Sequence, residues 1–208
     1  MSKIIFLNGC GSAGKTSIAR SIQHLSKDSW LTFGVDSFIN MMPCSYNDKV
    51  STEYFTFVSG TNDRGATMRV ESGEKGEQLF GVMPDFANLL ASRGNNIIID
   101  EVLFDDSGLK SYIKTLSSYI VYFVGVFCDL SVMQEREILR CDRAIGLSND
   151  QIDRVHASSL REYDLTVDTT SKTAFANAKQ ILEFVDNNPA PQGFITMRKM
   201  VYSTTIEN

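Results

Sequence analysis

The chain lacks a basic excess, a clustered set of cysteines and a long apolar run, and each shortage removes a class of protein. Its four cysteines, Cys10, Cys44, Cys128 and Cys141, are scattered without a C-x-x-C pair. That argues against a zinc site or a disulfide framework and fits a reducing compartment. With a net charge of -5 the chain has no charge surplus for a polyanion, which argues against nucleic acid as a partner. No apolar stretch is long enough to span a bilayer, and Ile4-Ile5-Phe6-Leu7 behind Met1-Ser2-Lys3 is too short for a signal peptide. A cytoplasmic protein without a membrane partner is expected. There is no internal repeat and no low-complexity tract.

What is present is ordinary for a soluble globular protein: 208 residues, 43% hydrophobic, enough for one domain with an appended segment. Apolar runs alternate with helix-period segments. Lys3 to Asn8 precedes Lys15 to Ser26, then Trp30 to Val35; Glu77 to Ser92 precedes Asn96 to Glu101; Leu109 to Ser117 precedes Tyr119 to Cys128. A helix-rich stretch from Ser131 to Ser159 leads to a short strand at Leu165-Thr166-Val167 and a last helix from Lys172 to Asp186. Such alternation predicts βα units around a parallel sheet, here five-stranded, and runs such as Ile97-Ile98-Ile99 predict strands buried on both faces. Two segments break the rhythm. Glu53 to Val58 and Ala66 to Val70, separated by the turn-rich Ser59 to Gly65, predict an inserted β-hairpin within about residues 50–72. From Asn187, with Pro189 and Pro191, a linker and docked arm are expected over 187–208.

The octet Gly9-Cys10-Gly11-Ser12-Ala13-Gly14-Lys15-Thr16 satisfies both G-x-G-x-x-G and the P-loop pattern G-x-x-x-x-G-K-[ST]. Lysine followed by threonine favours the P-loop. Its amides would wrap a β-phosphate, Lys15 would reach the β and γ oxygens, and Thr16 would offer its hydroxyl to Mg²⁺ at a helix start that includes Ser17. The dinucleotide alternative keeps some support from Asp36, which stands where a ribose-binding acid would be expected. It lacks the Tyr-x-x-x-Lys pair of short-chain dehydrogenases. Asn-Lys-x-Asp and Leu-Ser-Gly-Gly-Gln, signatures of GTPases and transport ATPases, are also missing, which leaves a small-molecule kinase using ATP and Mg²⁺.

Three further features fit that class. Ile97-Ile98-Ile99-Asp100 has the form of a buried strand delivering a carboxylate beside the metal. Asp36 closes Phe33-Gly34-Val35-Asp36-Ser37 at a strand end, where it could accept a hydroxyl proton or, alternatively, cap a helix over Ser37 to Met42. Arg136, Arg140 and Arg143, spaced by four and three, are expected on one helix face. They would converge on phosphate or else form a solvated face with Glu135, Glu137 and Asp142. Tyr54, Phe55, Phe57 and Met42 offer surface to a ring-bearing acceptor, or pack the hairpin. His156 reads as structural.

Together these stretches resemble the chloramphenicol phosphotransferase family, P-loop kinases that phosphorylate a primary hydroxyl of the antibiotic with ATP. The resemblance rests on Ile5-Phe6-Leu7-Asn8-Gly9, Ser12-Ala13-Gly14-Lys15, Phe33-Gly34-Val35-Asp36-Ser37, Ile97-Ile98-Ile99-Asp100, Cys128-Asp129, the Arg136-x-x-x-Arg140-x-Asp142-Arg143 pattern, Val155-His156, Tyr163-Asp164 and Val167-Asp168-Thr169-Thr170. It implies a kinase domain over residues 1–186 with Asp36 as the catalytic carboxylate. It also implies an arginine-bearing lid over about residues 131–160, with adenine held near Thr169 and Thr170. The acceptor would be a small hydroxylated molecule, with an antibiotic-modifying role. A regulatory ATPase using hairpin and tail for protein contacts is the alternative from another class, and a homo-oligomer is left open.

Overall fold

The structure, a computed structural model, describes residues 2–42, 52–140 and 144–203. In chain order its first part comprises β1 (Lys3–Asn8), α1 (Lys15–Leu25), β2 (Trp30–Gly34), α2 (Val35–Ile39), β3 (Phe55–Asn62), β4 (Gly65–Ser72), α3 (Glu74–Gly81) and α4 (Met83–Ser92). There follow β5 (Asn96–Glu101), α5 (Asp106–Thr115), β6 (Ile120–Phe127), α6 (Leu130–Ile138), α7 (Leu147–Gln151), β7 (Leu165–Asp168), α8 (Ala174–Asn187) and α9 (Gly193–Ser203). The five parallel strands that the alternation predicts form one sheet, and their order is β2-β5-β1-β6-β7. None of the helices among the described residues is long and apolar enough to cross a membrane.

Strand alternation sorts the central residues to two cores. Ile4, Phe6, Ile97, Ile99 and Phe123 face Met83, Ala87, Leu109 and Tyr112 on α4 and α5. Their neighbours Ile5, Leu7, Ile98 and Val124 face Ile18 and Ile22 on α1 and Ala178 and Ile181 on α8. A strand apolar at every position therefore requires a helical layer on each side of the sheet. Because all five strands are parallel, their carboxyl ends gather at one edge, and the loops after β1, β2 and β5 open there.

Three boundaries differ from the sequence reading, and the tail takes a form that the sequence left open. The helix expected over Glu77 to Ser92 is two helices, broken at Val82 before Pro84, whose ring cannot continue the preceding helix. The hairpin strands run further than expected, pairing Ser59-Gly60-Thr61 with Ala66-Thr67-Met68 and leaving only Asp63-Arg64 as the connection. Gly65 takes φ +112° directly after that turn, a conformation that side chains disfavour. The tail forms a docked helix: Phe194 and Met197 are buried against Phe6 and Phe123. Its start is capped by Asp164, whose Oδ1 accepts from the amides of Gln192 and Gly193 at 2.7 Å each. Lastly, α6 ends at Ile138, short of Arg140.

Candidate active site

The loop between β1 and α1 has the backbone that a phosphate cradle needs. Ser12 and Gly14 have φ of 61° and 89°, which turns successive amides toward a common centre. A side chain on Gly9 would stand 2.6 Å from the Val126 carbonyl, so this crossing of β1 past β6 admits only glycine. Lys15 is 6% exposed, and its ammonium lies 3.0 Å from the carbonyl oxygens of both Gly9 and Cys10 and 3.5 Å from Asp100 Oδ1. The charge is therefore held across the loop rather than released to solvent.

Asp100, near the end of β5 and paired in register with Leu7, faces the same point. The Thr16 hydroxyl donates to its Oδ2 at 2.5 Å. One hydroxyl and one carboxylate are hard oxygen donors, and Mg²⁺ characteristically takes few protein ligands and retains water. The pair fits that ion. No cluster of three or more His, Cys, Asp or Glu side chains able to cage a metal occurs among the described residues.

The neighbouring Glu101 turns away. Its carboxyl accepts from the Tyr112 hydroxyl at 2.9 Å and from the Val102 amide at 3.1 Å, and burial pushes its pKa up to about 7. It joins β5 to α5 and takes no part in the Lys15–Thr16 arrangement.

Asp36 is exposed in the first turn of α2, immediately past β2. The capping alternative fails: the helix begins at Val35, its N-cap is Gly34, and the Gly34 amide donates to Ser37 Oγ at 3.2 Å. Gly34 pairs with Asp100 so closely that a Cβ there would overlap the Asp100 carbonyl oxygen and lie 2.9 Å from Asp100 Cβ. That approach brings the strand end that leads into Asp36 beside the one bearing Asp100.

Arg136 and Arg140 do not share one helical face, because α6 stops before Arg140. Arg136 grips the outer wall of the loop, donating to Thr169 O at 2.8 Å, Thr169 Oγ1 at 3.2 Å and Ser12 O at 3.4 Å. Arg140 is half-buried just beyond the helix, and Arg143 lies outside the described residues. Glu137, expected as a surface partner, is instead 2% exposed and accepts from the amides of Gly146 and Ser148 at 2.8 and 3.0 Å. Thr169 is buried with its hydroxyl on Ala13 O at 2.7 Å, bracing the loop from behind, and Thr170 Oγ1 accepts from the Asp129 amide. Of the proposed acceptor surface, Met42 and Phe55 are buried, Phe55 against Phe80, while Phe57 is exposed.

Several neighbouring residues act through contacts far apart in the sequence. Buried Asn8 donates to Val155 O and to the Tyr163 hydroxyl, and its Oδ1 accepts from the Leu103 amide, tying three loops to the end of β1. Tyr163 pairs with His156 Nδ1 at 2.8 Å while His156 stacks on Phe127 at 4.0 Å, so the histidine is structural. Burial, with Arg161 nearby, lowers its pKa to about 4. Burial raises the Cys10 thiol to about 11, which leaves it a poor nucleophile.

Comparisons with known proteins bear on the fold and the family. Two curated relatives from Mycobacterium tuberculosis strains, provisionally named O-phosphotransferases, are 29% identical over 204 residues, covering 97% of this chain and 90% of each relative. Among solved structures, the fold is shared with the APS kinase CysC of M. tuberculosis in complex with AMPPNP and APS (TM-score 0.59, 11% identity, 89% of this chain and 98% of that one). It is shared equally with the tunicamycin resistance protein of Deinococcus radiodurans (TM-score 0.59, 17% identity, 89% and 96%). Shikimate kinase from Acinetobacter baumannii in complex with shikimate is similar too (TM-score 0.58, 14% identity, 90% and 95%). The fold is thus that of P-loop kinases. Residues 2–186 match the family described as chloramphenicol phosphotransferase-like protein, and the chain belongs to that family.

Proposed function

We propose that the protein is an ATP-dependent phosphotransferase that moves the γ-phosphate to a hydroxyl of a small molecule. The observation that carries this reading is the convergence of Lys15, Thr16 and Asp100 beneath the phosphate loop, with Asp36 in the first turn of α2 just past the adjoining strand. Lys15 would hold the β and γ oxygens, and the loop amides with the start of α1 would hold the β-phosphate. Thr16 and Asp100 would bind Mg²⁺, Asp100 directly or through water; the ion would neutralise phosphate charge.

Asp36 would accept the acceptor's hydroxyl proton as its oxygen bonds to the γ-phosphorus and the bond to the β-bridging oxygen breaks, leaving ADP. Chemistry at such a site is mostly positioning and charge neutralisation, which suits an arrangement held by strand ends. Antibiotic modification is the narrower form of the proposal. The family description and a neighbour named for tunicamycin resistance support it.

The test is to incubate the protein with MgATP and a panel of hydroxyl-bearing molecules, chloramphenicol among them, and follow both ADP and the phosphorylated product. Lys15→Ala should abolish transfer. Near-normal turnover in that variant would end the proposal.

A further inference from the structure

The short helix α7 carries a side chain that the mechanism above does not use. Gln151, 6% exposed, places its Oε1 2.5 Å from the amide nitrogen of Gly11 in the phosphate loop. A backbone N–H can only donate, so the carboxamide oxygen accepts from the loop, and the NH₂ nitrogen, which would stand 3.7 Å from a Cβ on Gly11, has two hydrogens to give beside it. A Cβ on Gly11 would stand 3.1 Å from the same oxygen, so the loop is bare where this side chain docks.

Lys15 fixes what lies beside that NH₂ group. Its ammonium rests on the carbonyls of Gly9 and Cys10, so terminal phosphate oxygens met by the ammonium in this position would lie over the first half of the loop, next to Gly11.

Gln151 is held there from two sides. Glu137 accepts from the first amides of α7, and Gln134 Nε2 donates to Asn149 Oδ1 at 2.8 Å. From the hairpin, the Met68 amide donates to Gly146 O at 3.0 Å. Asn149 Nδ2 donates to Ala66 O at 2.7 Å, and Asp150 is paired with Arg69 of β4 at 2.9 Å and with Arg154 at 2.6 Å. The hairpin thus braces the helix that delivers Gln151 to the loop.

We propose that Gln151 contacts the terminal phosphate of a bound nucleoside triphosphate, its NH₂ group donating to a γ-phosphate oxygen while its carbonyl oxygen stays on Gly11. The inference rests on the phosphotransferase reading and adds a residue that distinguishes a triphosphate from a diphosphate.

The test measures binding of ADP and of a non-transferable ATP analogue, each with Mg²⁺, to the wild type, Gln151→Ala and Gln151→Glu by calorimetry, with thermal melts alongside. Loss of a charge-assisted hydrogen bond predicts analogue binding weaker by roughly 10- to 100-fold in Gln151→Ala, with ADP binding unchanged. Gln151→Glu keeps the acceptor for Gly11 but sets a negative charge against the phosphate, so it should weaken the analogue further. That variant also keeps the side chain's size and reads the contact where the alanine fails to fold. Equal loss for both nucleotides would reduce Gln151 to a brace of the loop. Tighter analogue binding in Gln151→Ala would mean that the side chain blocks the phosphate. Either result overturns the inference and leaves the phosphotransferase reading standing, whereas a wild type that binds neither nucleotide removes both.

Discussion

Replacing Gly34 with alanine adds one methyl group at the point where β2 closes on β5 beside the site. The backbone at Gly34 is extended, with φ −165° and ψ −172°, so alanine meets no conformational penalty there. Relief of unfolded-chain entropy would even favour the variant by about 0.4–1 kcal/mol. Opposing this, the new Cβ would overlap the Asp100 carbonyl oxygen and lie 3.1 Å from its carbon, atoms of a paired strand that cannot rotate away. Overpacking of this kind costs about 1–3 kcal/mol, and a rigid backbone neighbour argues for the upper part of that range, so the steric term wins. For a chain of this length the net loss corresponds to a melting temperature lower by roughly 2–10 °C. Function should suffer more, because parting the strands moves Asp36 from Asp100, and a misplacement of about 1 Å can cost on the order of 10² in rate. Thermal melts and product formation from MgATP measure the two effects. A Gly34→Ala protein that melts and turns over like the wild type would refute the claim that this contact sets the site.

Two other outcomes follow from the geometry. Arg136→Ala should lower both stability and turnover, since it removes three contacts to Ser12 and Thr169; a variant that melts like the wild type would contradict this bracing role. His156 has its pKa lowered to about 4 in the fold against an ordinary 6.5, so its neutral form stabilises the fold fully above pH 6.5 and the contribution is lost as pH falls from there to about 4. The shift corresponds to at most about 3 kcal/mol, less for the ring's partial solvent contact. Urea unfolding at several pH values should show a shallower acid loss in His156→Phe, which keeps the stack on Phe127; an unchanged profile would assign the acid sensitivity elsewhere.

How much of this was legible in the chain depended on the range of the contacts. The phosphate loop is written in eight consecutive residues, and Asp100 follows an unbroken apolar triplet, so both could be placed from local pattern alone. The parallel sheet was legible because every central strand is apolar on both faces. Spacing misled where a helix ended without a punctuating residue: four and three intervals suggested one face for the arginines, but α6 stops at Ile138 and Glu137 bonds forward to Gly146 and Ser148. The hairpin's Ser59, Gly60 and Thr61 looked like turn residues because their faces are exposed and polar, yet strand pairing absorbs them. In α9, Phe194 and Met197 hint at an apolar face, but its partners Phe6 and Phe123 lie far away in the sequence. Gln151 reaches Gly11 across 140 residues, and no local rule foresees such a bond.

Asp36→Asn tests the central claim most directly, measured on whichever hydroxyl acceptor the wild type phosphorylates fastest. Because Gly34 and Ser37 make the cap, the substitution removes no helix-capping bond, and asparagine keeps the side chain's size while losing the carboxylate. Phosphoryl transfer should fall by a factor on the order of 10² or more while the variant stays folded and binds MgATP as the wild type does. Full transfer activity at normal stability would contradict that claim and remove Asp36 as the base.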